Sequence, residues 1–181
     1  MAVDIPELDQ PGSSGLLRTQ WFPLVLSESA AFQIILLLSA SNFAVVSSAA
    51  ATGIRPHLLQ MKCDAIRAIN EAFLSEDKRL SDAVIGAVAK MASYEAINGT
   101  REAYQVHMAG LEKMVSIRGG LSALGLNGLL RRIIVWIDIN SAILQGTPRF
   151  FPKATFTGIE GGRYDDESKG PEANLERFVA I

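Results

Sequence analysis

The stretch that decides the fold is SDAVIGAVAKMASYEAINGTREAYQVHMAGLEKMVSIRGG, residues 81–120. Ser81 or Asp82 can cap a helix, because both side chains accept hydrogen bonds from free backbone N–H groups. The apolar residues that follow recur at helical spacing and share one face: Val84, Ile85, Val88, Met91 and Ala92. The Asn-Gly pair at 98–99 ends this helix, so the stretch predicts two helices joined by a short turn.

The second helix begins at Thr100 and has its own apolar stripe: Tyr104, Met108, Leu111 and Val115. Gly119 and Gly120 end it, because glycine enters the left-handed conformation of a helix C-terminus without steric cost. Arg118 lies just before them, near the negative end of the helix dipole. The Arg-Gly-Gly sequence is therefore interpreted as a helix stop. Gly110 is inside the helix, where glycine costs about 1 kcal/mol, and we expect it to permit close approach of another helix.

Three further helices extend this pattern along the chain. The first is expected to open after Pro23, near Ser27, and to run to Gly53. The second begins at Pro56, since proline suits a first helical turn, and ends at SEDKR. A fifth helix over NGLLRRIIVWIDINSAILQG has Asn127 as its cap and stops at Gly146. No stretch alternates convincingly as a strand. We therefore predict an all-α fold, an irregular bundle of five to six amphipathic helices stacked as antiparallel pairs.

Composition sets the domain plan and limits the function. A chain of 181 residues is expected to form one domain, with 49% hydrophobic and 20% charged residues. We predict a flexible lead-in over 1–19, a helical domain over 20–152 and a polar loop or tail over 153–181, whose last residues, NLERFVAI, form a short helical turn or a stub. The net charge of −2 provides no general attraction to nucleic acid.

The sequence lacks the common catalytic and cofactor motifs. There is no Walker-type loop, no spaced glycine triplet after a strand and no nucleophile elbow, so we expect no cofactor and no catalytic residue. The single cysteine, Cys63, cannot form an internal disulfide or hold a structural zinc alone. His57 and His107 have no second ligand at metal-binding spacing, and the carboxylate run at 165–167 does not have the spacing of a calcium loop. No metal site is predicted.

Two alternative functions are left open. Residues 30–53 carry no charge and are long enough to span a bilayer, although polar residues interrupt them. A small helical enzyme could use Glu95 and His107, which approach each other if their helices pair. A buried core helix and a structural hydrogen bond are the more common explanations of these two features.

A resemblance to a known family comes from five segments in order. HMAGLEKMVSIRGGL resembles a segment typical of the fungal-specific transcription factor domain, the helical region downstream of zinc binuclear cluster DNA-binding domains. QWFPLVLSESAAFQIILLLSASNF is similar to the opening of that domain, and LLQMKCDAIRAINEAF to its next helix. SDAVIGAVAKMASYEAINGTREAYQVHMAGL resembles the helix pair ending in His-x-x-Gly-Leu, and VWIDINSAILQGTPRFFP the Trp-x-Asp segment before a Pro-x-Phe. Together these segments cover roughly residues 20–152.

The resemblance implies an all-helical regulatory domain of a nuclear transcription regulator. The family normally carries a six-cysteine zinc cluster that reads DNA, and this chain has no such cluster. We therefore expect DNA to be reached only through an upstream module outside this chain. A protein partner or homodimer is expected, a small-molecule effector between helices is a further option, and no membrane is expected. The location implied is the nucleus, with the cytoplasm as the alternative. The sequence leaves open whether the chain is a fragment, a truncated gene model or a shortened paralogue.

Four polar or amphipathic residues are candidates for lining a ligand or partner pocket, namely His107, Arg118, Trp136 and Asp138. Structural roles compete with this interpretation. His107 and Trp136 can be packed helix residues, while Arg118 can be a helix-end cation with Asp138 as its salt-bridge partner.

Overall fold

The computed structural model describes residues 5, 8, 9, 12, 14–46, 48–156 and 174–179, with side chains for all of these except 48–52. Within that part of the chain it has seven α-helices and no strand, so the predicted all-α bundle is confirmed. The helices are α1 Phe22–Ser27, α2 Ser29–Val46, α3 Ser48–Leu74, α4 Asp82–Asn98, α5 Arg101–Arg118, α6 Leu129–Gln145 and α7 Leu175–Val179. A π-helical turn, Leu17–Trp21, leads into α1.

Helix α4 is the centre of the bundle. It packs against α2, α3, α5 and α6, and every residue from Ala83 to Ala96 is buried. The Ser81 hydroxyl accepts a hydrogen bond from the Val84 N–H at 3.3 Å, which satisfies one of the free donors at the helix start. A helix covered on all sides needs small residues as well as large ones, and alanine recurs through its sequence for that reason.

Helices α4 and α5 form the antiparallel pair that the sequence predicts. The Thr100 hydroxyl caps α5 by accepting from the Ala103 N–H at 3.2 Å. At the other end Gly119 has a φ of 102°, and the Gly120 N–H donates to the Val115 carbonyl at 2.8 Å. The Arg-Gly-Gly sequence therefore ends a helix, in agreement with its interpretation as a stop signal.

The predicted boundaries of the first two helices are wrong. The chain bends at Glu28, whose backbone is extended, so that α1 and α2 are separate helices. Helix α2 ends at Val46, and α3 begins at Ser48. Gly53 and Pro56 therefore lie inside α3 instead of ending one helix and starting the next. Pro56 is exposed, so its ring takes no space in the core, although it removes one backbone donor and crowds the carbonyl one turn earlier, at a cost of about 3 kcal/mol.

Helix α6 starts slightly later than predicted. Gly128, in the left-handed conformation with a φ of 78°, holds the position before the first residue of the helix. Asn127, which was expected to be the cap, instead lies in a short 3-10 turn with a φ of 51°. The end at Gly146 agrees with the prediction, since its φ of 61° is the left-handed conformation of a helix terminus.

Both ends of the chain contribute to the core. Four side chains of the expected lead-in are buried: Ile5, Leu8, Leu16 and Leu17. At the other end, Phe178 of α7 is fully buried, so the short helical turn expected near the C-terminus is present and docked. The carboxylate run at 165–167 lies outside the described residues, and the division of the chain at 19 and 152 stays a prediction.

Helix α2 is long and apolar enough to cross a membrane by length and composition alone. Within the bundle, 44% of this helix is buried, and core helices of soluble proteins pass the same criterion. Its buried side includes Ala30, Ile34, Leu37 and Ser41. Its opposite side is exposed.

Candidate functional site

Arg118 fastens one end of the α4–α5 pair. Its Nη2 lies 3.1 Å from Oδ1 of Asp82, and its Nη1 donates to the Leu80 carbonyl oxygen. Asp82 is the first residue of α4, so the contact joins the C-terminal end of one helix to the N-terminal end of the other. Arg118 is a helix-end cation, as expected, but its expected pairing with Asp138 is wrong.

Asp138 instead holds the segment that follows α6. Its carboxylate is fully buried and accepts a hydrogen bond from Arg149 Nε at 2.9 Å. The backbone N–H groups of Phe150 and Phe151 donate to its two oxygens at 2.8 and 3.1 Å. One carboxylate thus satisfies a guanidinium and two backbone donors, an arrangement that offsets the cost of burying its charge. The same buried carboxylate helps raise the pKa of Tyr104 to about 12, after the larger effect of the tyrosine's own burial.

Trp136 is a packing residue on the other side of α6. Its side chain is buried, and its ring meets Phe178 of α7 edge-on, with 5.1 Å between ring centroids. The indole N–H has no hydrogen-bond partner among the described residues. The contact explains how a helix of only five residues is held to the bundle, because an aromatic pair adds to the area that each ring buries.

Glu95 and His107 are brought together when α4 and α5 pair. Glu95 is buried, and its Oε1 lies 2.7 Å from Nζ of Lys62 on α3. The same lysine lies over the Tyr94 ring at 5.7 Å from its centroid. Burial lowers the pKa of His107, while the nearby Glu95 carboxylate acts in the opposite direction. The cluster ties three helices together through a carboxylate that is already paired with a cation.

Two buried cations were not among the predicted site residues. Lys90 is buried in the middle of α4, and burial lowers its pKa to about 8. Its signal in the sequence is a lysine inside the apolar run AVAKMA. Arg132 of α6 donates from Nε to the Leu8 carbonyl at 2.9 Å, and burial is the main cause that lowers its pKa. No sequence pattern indicated that contact, because the two residues are far apart along the chain.

The four predicted pocket residues have separate neighbours. Arg118 contacts Asp82, Asp138 contacts Arg149, Trp136 contacts Phe178, and His107 lies by Glu95. Within the part of the chain that the structure describes, no three His, Cys, Asp or Glu side chains form a group that could hold a metal ion. A role in a shared pocket stays a prediction for these four residues.

Large apolar side chains are exposed on every described helix except α4. On α2 they are Phe32, Leu36, Phe43, Val45 and Val46, and on α5 they are Val106 and Ile117. Gly110 of α5 is exposed, and a Cβ added there would meet no atom within 4 Å. No helix of the described chain approaches Gly110, so the expected close approach is wrong for this chain's own packing. Close approach by a partner stays a prediction.

Comparison with known proteins identifies the family by its sequence. The family model of the fungal-specific transcription factor domain matches residues 10–172. A phomenoic acid biosynthesis cluster-specific transcriptional regulator from Leptosphaeria maculans is 39% identical over 59 residues, which are 33% of this chain and 11% of that protein. The match thus spans about a tenth of the relative's length. No solved structure matches the chain.

The five ordered sequence segments, the all-helical bundle and the match over most of the chain agree. The chain belongs to the fungal-specific transcription factor domain family and is a regulatory domain of a fungal transcription factor.

Proposed function

We propose that this domain regulates transcription in the nucleus through contacts with protein partners, while another module reaches the DNA. The observation that carries the proposal is the family match over residues 10–172. The charge of the chain supports it, since a net charge of −2 provides no broad electrostatic attraction to phosphates. A single cysteine in the sequence also leaves the zinc cluster of the family without its ligands here.

The buried polar groups support a structural role for most of the candidate residues. The carboxylates of Asp82, Glu95 and Asp138 each pair with a cation, and each pair joins different segments of the bundle. Glu95 is held by Lys62, which competes with any role of the glutamate as a proton acceptor for substrate. We therefore propose a non-catalytic domain in which these contacts fix the shape of a surface that partners recognise.

A reporter experiment tests this function. The chain is fused to a heterologous DNA-binding module and expressed in a fungal cell with a reporter gene under sites for that module. We expect reporter expression to differ from that given by the module alone, because the domain brings its partners to the promoter. Reporter expression equal to that of the module alone, at matched protein levels, would contradict the proposal.

DNA binding by the isolated chain is the companion measurement. We expect no sequence-specific complex in mobility-shift assays at physiological salt, because the chain lacks the cysteines of the zinc cluster and has a net charge of −2. Specific protein–DNA complexes typically form at about 10⁻⁸ to 10⁻¹¹ M. A sequence-specific complex at nanomolar concentration would show that the chain reads DNA without the separate module.

A further inference from the structure

The exposed side of α2 is an uncharged stripe that the described bundle leaves uncovered. Four of its side chains are large and apolar, with exposed fractions of 39% for Phe32, 39% for Leu36, 53% for Phe43 and 80% for Val46. No Asp, Glu, Lys or Arg occurs anywhere from Ser29 to Val46. Monomeric proteins rarely leave large contiguous apolar patches in water, so a stripe of this kind calls for a partner.

The spacing of the stripe suits a second helix lying alongside. Its six positions follow one another at alternating steps of three and four residues: Ser29, Phe32, Leu36, Ser39, Phe43 and Val46. This spacing keeps side chains on one line along a helix and lets them interdigitate with those of a neighbour. The stripe is also opposite the side of α2 that faces the core, so a partner helix would not disturb the bundle.

We propose that the stripe binds a second copy of this chain, with the two α2 helices antiparallel about a two-fold axis between Leu36 and Ser39. In that arrangement Ser29 faces Val46 of the second copy, and Leu36 faces its Ser39. Each of these pairs places a large side chain against a small one. Because of the two-fold axis each pair occurs twice, so the same surface on both copies is complementary to itself. Phe32 and Phe43 then meet across the interface as aromatic pairs.

The same features favour a protein partner over a lipid surface. Helices that lie on membranes usually combine an apolar side with a side rich in Lys and Arg, which bind anionic headgroups. Helix α2 has no charged residue to supply that contact, and its other side is occupied by the bundle core. A protein surface of the same apolar and small residues needs no such charge.

The size of the stripe sets the expected strength of the dimer. A helix of 18 residues is about 27 Å long, so the stripe alone offers a small interface, whereas specific interfaces usually bury about 1,000 Å² or more. We therefore expect a weak dimer with a Kd on the order of 10 μM. This proposal rests on the proposed function, in which the domain acts through protein partners, and it names a second copy of the chain as one such partner.

Sedimentation of matched variants tests the interface. The wild-type chain of 19.5 kDa is expected to approach twice that mass as its concentration rises through the micromolar range. Phe43→Glu places a charge in the stripe and is expected to weaken association at least tenfold. Ile117→Glu is the matched control, because Ile117 is similarly exposed, at 61%, but lies on α5. Circular dichroism of each variant verifies that the helices are intact.

Three results would overturn the proposal. The wild-type chain could stay monomeric throughout, or Phe43→Glu could associate as tightly as wild type, or Ile117→Glu could weaken association equally. A monomeric chain that co-sediments with phosphatidylcholine–phosphatidylserine vesicles, and loses this binding in Phe43→Glu, would assign the stripe to a membrane instead. The reporter assay with the fused chain is independent of these results, so failure of the dimer leaves the proposed function open to its own test.

Disulfide trapping tests the antiparallel arrangement. In a Cys63→Ser background, one preparation carries Ser29→Cys and another carries Val46→Cys. The antiparallel pairing predicts a disulfide-linked dimer when the two are mixed and oxidised, and little when either is oxidised alone, since identical positions are then about 25 Å apart. Efficient linkage of Ser29→Cys with itself would contradict the proposed geometry.

Discussion

Asp138 is a residue whose hydrogen bonds all serve the segment after α6, so removing its carboxylate has a specific cost. In Asp138→Ala the Arg149 guanidinium and two backbone N–H groups lose their acceptor in a partly buried site. We expect the free energy of unfolding to fall by about 3–5 kcal/mol, as when one partner of a buried pair is removed. Urea denaturation measures this change. Glu112→Ala, at an exposed position on α5, should change stability by less than about 0.5 kcal/mol, and an equal loss there would contradict the assignment.

Lys90 gives the stability of the fold a pH dependence of its own. Its folded pKa of about 8 lies below the ordinary 10.5, so between these pH values the unfolded chain holds a proton that the folded chain has released. The contribution of Lys90 to the free energy of unfolding is therefore largest above pH 10.5, falls as the pH drops towards 8, and is constant below pH 8. The loss across that interval is about 3 kcal/mol.

Lys90→Met tests this dependence by removing the charge and keeping a flexible side chain. The difference in unfolding free energy between variant and wild type should grow in favour of the variant as the pH is lowered from 10.5 to 8. Lys113→Met, at an exposed position on α5, is the matched control and should follow the wild type. Parallel curves for Lys90→Met and wild type would show that the lysine titrates normally.

The roles of charged residues were only partly predictable from the sequence. The approach of Glu95 to His107 followed from pairing two consecutive helices, and this is what the structure shows. The partner of Arg118 was not predictable, because it depends on which helix end lies nearest in three dimensions. The sequence holds several carboxylates at suitable helix ends, and local spacing does not distinguish among them.

At the scale of elements, α4 packs closely against the segment before α1 at Gly86, where an added Cβ would force the Trp21 ring to move. A Cβ at Gly86 would lie 2.4 Å from Cη2 of the Trp21 ring. We expect Gly86→Ala to lower the free energy of unfolding by about 1–3 kcal/mol, since the ring must shift within a packed core. Thermal or urea unfolding provides the measurement.

Two further variants make the Gly86 prediction specific. Gly110→Ala, inside α5 where an added Cβ meets no atom within 4 Å, should stabilise the protein by up to about 1 kcal/mol. In a Trp21→Leu background the cost of Gly86→Ala should shrink, because the clashing ring is gone. If Gly86→Ala lowered the free energy of unfolding equally in both backgrounds, the loss would not come from the clash with the Trp21 ring.

Helix positions were predicted well where the sequence carries capping residues. Ser81, Thr100, Gly119 and Gly146 each end or begin a helix in the structure, because caps act through local hydrogen bonds and backbone conformation. Asn127 was an exception, since the cap of α6 is the next residue, Gly128. The larger errors arose at Gly53 and Pro56, which are unfavourable in helices but not forbidden. Packing of the downstream half of α3 against the core outweighs a local penalty of this size.

At the scale of the whole molecule, the fold class followed from helical periodicity, and the contributions of the two chain ends did not. Leu8 accepts a hydrogen bond from Arg132 through its carbonyl, and Phe178 packs on Trp136. Both contacts join residues that are distant in sequence, and short polar segments carry little periodicity from which to predict burial. The exposed stripe on α2 was likewise not predictable from the sequence, because an apolar run does not reveal which side of its helix the core covers.

The ion pair between Glu28 and Lys78 holds together the two ends of the hairpin formed by α2 and α3. Its Oε2–Nζ distance of 3.1 Å places the residue before α2 beside the turn that follows α3, so the α2–α3 hairpin begins and ends at nearly the same point. Turns added to or removed from the far ends of both helices would leave that point in place. The length of the α2–α3 hairpin can therefore vary at its far end without moving the residue before α2 away from the turn after α3.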